Sequence, residues 1–316
     1  MGLAALAPPL VAFAQQSKVW RIGFLGLAPA SGWTGQTQAF KAGLRELGYV
    51  EGENIVVEFS WAGDVSEFPR LAAELVRKRV DVIVAPASTQ VEPARQATRT
   101  IPIVFAQHAD PVGTGHVQTL ARPGGNITGV SMVLTEIAAK SLELLRELLP
   151  NAGRVGVLWN PTTPTHPHVL HAVREVANKL ALELLEVPTR SVSDFEGAFA
   201  TLARERAAGF LVPTSPLTNS QPRPLAELAL KHKLPGIFGN RANVEAGGLM
   251  SYGADFNYMY RRAAIYVDKI LKGAKPAELP VERASKYYLV INRKTATALG
   301  LTIPQSIVLR TDEVIG

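Results

Sequence analysis

Arg21-Ile22-Gly23-Phe24-Leu25 returns 133 residues later as Arg154-Val155-Gly156-Val157-Leu158. Each is a short apolar run with β-branched members and a central glycine, which reads as a buried strand. The same shift carries Ile101-Pro102-Ile103-Val104-Phe105 onto Leu234-Pro235-Gly236-Ile237-Phe238. Between these anchors the shift is 127. There Glu67-Phe68 and Leu75 fall on Asp194-Phe195 and Leu202, and Ile83-Val84-Ala85-Pro86-Ala87-Ser88 falls on Phe210-Leu211-Val212-Pro213-Thr214-Ser215. Segments repeated in one order at nearly constant spacing predict a duplicated unit, hence two similar lobes.

Within a unit, strands alternate with helices. Amphipathic spacing predicts helices over 39–48, closed by Gly48, and over 66–79, with strands at Ile55-Val56-Val57-Glu58-Phe59 and Val82-Ile83-Val84 between and after them. This βαβ alternation implies an α/β fold of two Rossmann-like lobes, each a parallel sheet with helices on both faces. Pro123-Gly124-Gly125 and Ala246-Gly247-Gly248 precede short strands and are expected at crossings between lobes. A helix over 258–271, a Pro-containing stretch and a strand over 287–291 place a third crossing near 280–287. Lobe one is then residues 15–127 plus 252–281, and lobe two residues 128–251 plus 282–316. A three-crossing hinge permits closure and limits sliding.

The chain has 316 residues, 47% of them hydrophobic and 19% charged, which excludes a largely disordered protein. It has no cysteine, so disulfides, thiolate metal sites and cysteine nucleophiles are excluded. The net charge of +6 is scattered, and no nucleic-acid partner is expected. Residues 1–14 read as a secretory signal remnant: an apolar stretch ends in Ala12-Phe13-Ala14, and Gln15 would begin the mature chain, although no Lys or Arg precedes Lys18. The stretch is shorter than the ~20 residues a membrane helix needs. Export to the periplasm is the expectation.

No phosphate loop, dinucleotide-binding turn, nucleophile elbow or H-E-x-x-H helix occurs. His166, His168 and His171 form the densest run of metal-ligand types, but no carboxylate lies close in sequence, and they are read as surface histidines at a helix start. No metal, cofactor or catalytic residue is therefore expected. In open parallel sheets, ligands bind beyond the carboxyl ends of the strands. Those ends supply the candidate ligand-binding residues. Ser88, Thr89 and Gln90 open a helix, whose hydroxyls and amides suit a carboxylate, or Ser88 or Thr89 simply caps it. Asp110 suits an ammonium or braces its own turn; Trp33 and Trp159 suit a flat ligand or lid the core. Asn160, Thr214, Ser215 and Asn240 add hydrogen-bonding groups.

Longer runs carry a family resemblance. They include Gly43-Leu44-Arg45-Glu46-Leu47-Gly48-Tyr49, Arg122-Pro123-Gly124-Gly125-Asn126-Ile127-Thr128-Gly129, Gly247-Gly248-Leu249-Met250-Ser251-Tyr252-Gly253 and Leu289-Val290-Ile291-Asn292-Arg293. In these the chain resembles the substrate-binding proteins of ABC importers that include tryptophan- and tyrosine-binding members, with a type I periplasmic-binding-protein fold. The resemblance implies a monomeric receptor that closes on a small-molecule solute and delivers it to an inner-membrane ABC permease. It implies an aromatic amino acid or aromatic carboxylate as ligand, and matches Ser88-Thr89 and Asp110-Pro111-Val112 to family patterns. His108-Ala109 before that Asp, and Trp159, depart from it. Other roles for such lobes are a ligand-sensing domain for a membrane receptor, a secreted α/β enzyme or a LacI-like regulator. No helix-turn-helix fits before Lys18.

Overall fold

The computed structural model describes residues 18–27 and 30–316. The signal-like residues 1–14 and the expected mature start at Gln15 lie outside the described residues, as do Ala28 and Pro29 of the first strand-end loop. The first unit runs β1 (Trp20–Leu27), α1 (Thr34–Glu46), β2 (Ile55–Ala62), α2 (Phe68–Arg77), β3 (Val82–Val84), α3 (Ser88–Ala97), β4 (Ile103–His108) and β5 (Ile127–Ser131). The second opens with α4 (Leu134–Leu148), then β6 (Arg154–Trp159), α5 (His166–Lys179), β7 (Glu183–Pro188), α6 (Asp194–Arg204) and β8 (Phe210–Val212). It continues with α7 (Pro216–Ser220), α8 (Pro222–Lys231), β9 (Gly236–Phe238), α9 (Arg241–Glu245) and β10 (Met250–Ala254). The chain ends with α10 (Phe256–Leu271), β11 (Glu282–Arg283), β12 (Tyr287–Asn292), α11 (Arg293–Ala298), α12 (Gln305–Val308) and β13 (Glu313–Ile315).

These strands make two sheets, ordered β11-β5-β4-β3-β1-β2 and β13-β12-β10-β9-β8-β6-β7. The first is parallel throughout. In the second, β12 pairs antiparallel with β10 and carries β13 parallel to itself. Each core reads 2-1-3-4-5 in its own strand order, so the first and third strands flank a topological switch point.

The duplication has a packing cause. A Cβ placed on Gly23 would come within 2.8 Å of Leu75 Cδ2, and one on Gly156 within 2.2 Å of Leu202 Cδ2. The central glycine of the first strand is thus where a leucine from α2 or α6 seats against the sheet. Both leucines are fully buried. The repeated glycine and leucine are two halves of one contact, used once in each lobe.

The crossings differ from the expected positions by two to four residues. All of β5 belongs to the first sheet, so the chain leaves lobe one after Ser131 rather than after 127. All of β10 belongs to the second, so the return falls at Asp255 rather than at 252. The third lies between Arg283 and Tyr287, inside the expected 280–287 and past the 281/282 boundary. The paired glycines introduce the fifth strand of each core instead of the crossing itself.

That fifth strand approaches its neighbour too closely for a side chain. Gly129 has φ +146, and a Cβ there would lie 2.0 Å from the Phe105 carbonyl oxygen, next to a register shift between β4 and β5. In the other lobe a Cβ on Gly253 would lie 2.2 Å from the Gly239 carbonyl oxygen. Gly129→Ala must therefore spread β4 from β5 and should cost about 3 kcal/mol or more. Gly125→Ala, in the same motif but with open space at its Cβ and no positive φ, should stay within about 0.5 kcal/mol of wild type. Urea unfolding of the two variants checks the contrast.

Candidate functional site

The carboxyl ends of the two sheets face each other across a cavity of about 470 Å³, within the size range of small-molecule sites. Lobe one contributes Trp33 and Gln36 beyond β1, Ala87, Ser88 and Thr89 beyond β3, and Gln107 and Ala109 at the end of β4. Lobe two answers with Thr163 and Thr165 beyond β6, Thr214, Ser215 and Asn219 beyond β8, and Asn240 beyond β9. Met132 and Phe256 enter from the first two crossings. None of the described lining residues is ionisable.

Of the ten candidates, Trp33, Ser88, Thr89, Thr214, Ser215 and Asn240 line this cleft, whereas Gln90, Asp110, Trp159 and Asn160 do not. Gln90 is fully buried, and its Oε1 accepts from the Thr89 hydroxyl at 2.8 Å. Asp110 braces its own turn: Oδ1 accepts from the Gly113 amide at 2.8 Å, while Oδ2 lies 3.9 Å from His168 Nδ1 across the lobes. Trp159 packs into the core, with a buried Nε1 that has no partner among the described residues. Asn160 closes the β6–α5 loop, its Oδ1 accepting from the Thr162 amide at 2.9 Å. Trp33 both lines the cleft and packs on the buried Tyr260, ring centroids 6.4 Å apart. Sequence reasoning missed Gln36, Thr163, Thr165, Asn219 and Phe256. Gln107, just before the His108-Ala109-Asp110 stretch, was also not singled out.

The helix ends around the cleft are not equivalent. Ser215 caps α7 in a capping box with Thr218, and Asn240 caps α9 by accepting from the Ala242 amide. At α3 the cap position is Ala87, which has no side chain to offer. Neither Ser88 nor Thr89 caps it. The Thr89 hydroxyl turns to Gln90, and the Ser88 hydroxyl lies 3.3 Å from His108 Nδ1. The amides of Ser88 and Thr89 precede the first helical hydrogen bond, which Gln90 or Val91 makes to Ala87. They thus have no acceptor among the described residues, at the positive end of a ten-residue helix.

A buried relay fixes the Ser88 hydroxyl. The Asp110 amide donates to His108 Nδ1 at 3.1 Å, so that nitrogen is the unprotonated one and also accepts from Ser88. His108 Nε2 then donates to His116 Nδ1 at 2.7 Å, and His116 Nε2 donates to Glu92 at 3.0 Å. Burial holds both histidines below the usual imidazole pKa, and further so for His108. Hydrogen bonding from Arg95, ahead of Gln96 and His116, pulls Glu92 down to about 2.

His166 is fully buried, contrary to its reading as a surface histidine. Its Nδ1 accepts from the Asn160 amide at 2.9 Å, and its Nε2 donates to the Thr214 carbonyl at 3.0 Å, tying two cleft loops together. His168 and His171 are the exposed pair, and no metal-ligand cluster occurs among the described residues.

A cleft between two like lobes, at the switch points of both sheets, defines a two-lobe solute-binding receptor of the type I periplasmic-binding-protein architecture. The chain belongs to the family described as ABC transporter substrate binding protein, whose model matches residues 31–315. It is 28% identical over 265 residues to a tyrosine-binding protein of Clostridioides difficile (strain R20291), spanning 84% of this chain and 76% of that one. It superposes with a TM-score of 0.87 on the ABC domain of Streptococcus pneumonia in complex with L-Trp, at 27% identity over 94% of this chain and all of that one. Against a ligand-free, open substrate-binding protein with adhesive properties from Clostridium difficile the TM-score is 0.70, at 26% identity over 94% and 99%.

Burial lowers the His166 pKa from 6.5 to about 4. The unfolded chain takes up this proton as pH falls through 6.5, while the folded chain resists until about 4. The histidine's contribution is therefore complete above pH 6.5 and is lost on acidification, by about 3 kcal/mol at pH 4. His108 and His116 act in the same direction. Unfolding free energy should fall steeply from pH 6.5 to 4.5, and His166→Gln should reduce that slope by about 1.4 kcal/mol per pH unit. Denaturant titrations across this range measure it.

Proposed function

We propose that this protein is a periplasmic receptor of an ABC importer. It binds an aromatic amino acid or aromatic carboxylate between its lobes and passes it to an inner-membrane ABC permease, and it catalyses no change of bonds. The observation that carries the reading is the uncapped start of α3, presenting free amides to a cleft whose other walls include Trp33 and Phe256. A carboxylate satisfies the amides, and a ring covers the aromatic and apolar wall. The tyrosine-binding relative and the L-Trp complex support the ligand class. Export rests on residues 1–14 acting as a signal; no helix among the described residues is long and apolar enough to cross a membrane. Because the ligand touches both lobes only when they close, it shifts the open–closed balance toward the form a permease would recognise.

A thermal-shift screen of amino acids, aromatic acids, sugars and nucleosides tests this. A ligand at ~100 Kd adds ~2.7 kcal/mol of stability. Aromatic amino acids or acids should stabilise the protein. Ser88→Ala, which keeps the amide, should weaken them less than Ser88→Pro, which removes amide and hydroxyl together. The proline fits this first helical position because Ala87 before it is already extended. Loss of the amide should cost about tenfold or more in affinity. Hits confined to sugars or nucleosides would refute the ligand class.

A further inference from the structure

We propose that the cleft is built for a monoanionic aromatic carboxylate without an α-ammonium group, and discriminates against the zwitterionic amino acid. The inference rests on the receptor reading above and narrows its ligand.

Charge accounting carries it. An amino acid brings two opposite charges into the cleft, and each needs a partner wherever closure removes its water. The carboxylate has one in the α3 amides. For an ammonium, the described lining supplies no carboxylate, and the undescribed Ala28 and Pro29 have no ionisable side chain. Asp110 after β4 and Asp255 after β10 are acids at strand ends, and neither is in the lining. Asp110 is committed to the Gly113 amide, and Asp255 caps α10, its Oδ1 accepting from the Tyr258 amide at 2.9 Å.

The unpaired polar atoms in the cleft point the same way. Gln107 Oε1 from lobe one and Thr165 Oγ1 from lobe two are buried and without partners among the described residues, in side chains 5% and 0% exposed that line the cavity. Both are neutral. A hydroxyl serves a carboxylate, and a carboxamide serves a ring N–H or O–H. Neither carries a negative charge to set against an ammonium. With the positive end of α3 on one side and neutral groups elsewhere, the site's potential favours net negative charge.

Titration calorimetry with matched pairs tests the proposal: 3-phenylpropanoate against L-phenylalanine, and indole-3-propanoate against L-tryptophan. The des-amino acid should bind at least about tenfold more tightly in each pair, the scale of one charged hydrogen bond left unmade. Equal or tighter binding of the amino acids would overturn the inference and leave the receptor reading intact. Binding of neither member of either pair would overturn both. A gain-of-charge variant supplies an independent arm. Ser215→Asp keeps an acceptor for the Thr218 amide at the α7 cap and places a carboxylate in the cleft wall. It should move the ratio about tenfold toward the amino acid while its thermal midpoint stays near wild type. An unchanged ratio in the folded variant would count against the charge argument.

Discussion

Two backbone contacts set the frame on which the cleft depends. Gly129 lies against the Phe105 carbonyl and Gly253 against the Gly239 carbonyl, each joining the fifth strand of a core sheet to the fourth or its end. Both strands are the last the chain follows before it changes lobes. Their position therefore fixes where the lobes are joined, and the joint lies beside the carboxyl ends of the strands. A hinge at that edge makes closure narrow the space between the strand ends first. The ligand site and the mechanical axis share the same few residues: Met132 and Phe256, just past the first two crossings, also line the cavity.

The two lobes repeat in scaffold and diverge in chemistry. Gly23 with Leu75, and Gly156 with Leu202, seat a helix on a sheet in the same way. The helix starts that follow differ because the residues at the cap differ. Ser215 satisfies the start of α7 from within the chain, and Ala87 leaves the start of α3 unsatisfied. Helix-start amides without an acceptor within the chain are suited to an anion that enters the cleft. Lobe one thus holds the stronger claim on a charged ligand, and lobe two closes over it with neutral groups. The Glu92–His116–His108 relay reinforces the division by turning the Ser88 proton away from the cavity, so that the amides rather than the hydroxyl face the anion as donors.

Much of the fold was legible because repetition is a long-range signal that survives ignorance of contacts. The duplicated strands, the sheet class and the strand ends followed from spacing alone, and six of the ten candidates line the cleft. The four that do not are decided by local geometry of different kinds. Trp159 and Asn160 occupy the last position of a strand and the first beyond it, where one backbone dihedral decides whether a side chain turns to the core or the cavity. Gln90 lies one step into α3, where the helical turn carries it inward. Asp110 found a local amide, as short acidic side chains do in turns. Capping misled for a related reason: Ser88 has a capping side chain, but its backbone is already helical and the extended residue is Ala87. His166 was unreadable because its partners, Asn160 and the Thr214 carbonyl, are brought to it by two different strands.

These features separate what the scaffold determines from what a few side chains determine. Any chain with this sheet order, hinge and set of strand ends obtains a cleft between the lobes with helix starts at its wall. Those suffice for a small solute with an anionic group, and they are encoded by glycines and buried aliphatics far from the ligand. The charge type of the solute is set elsewhere, by whether any cleft-lining position carries an acid. A single carboxylate at such a position changes the site from one that accepts an anion to one that accepts a zwitterion, without altering a strand or a helix. The architecture can therefore be kept at 26–28% identity while the cleft lining changes, because the residues that hold the lobes together and those that line the cleft are largely different residues.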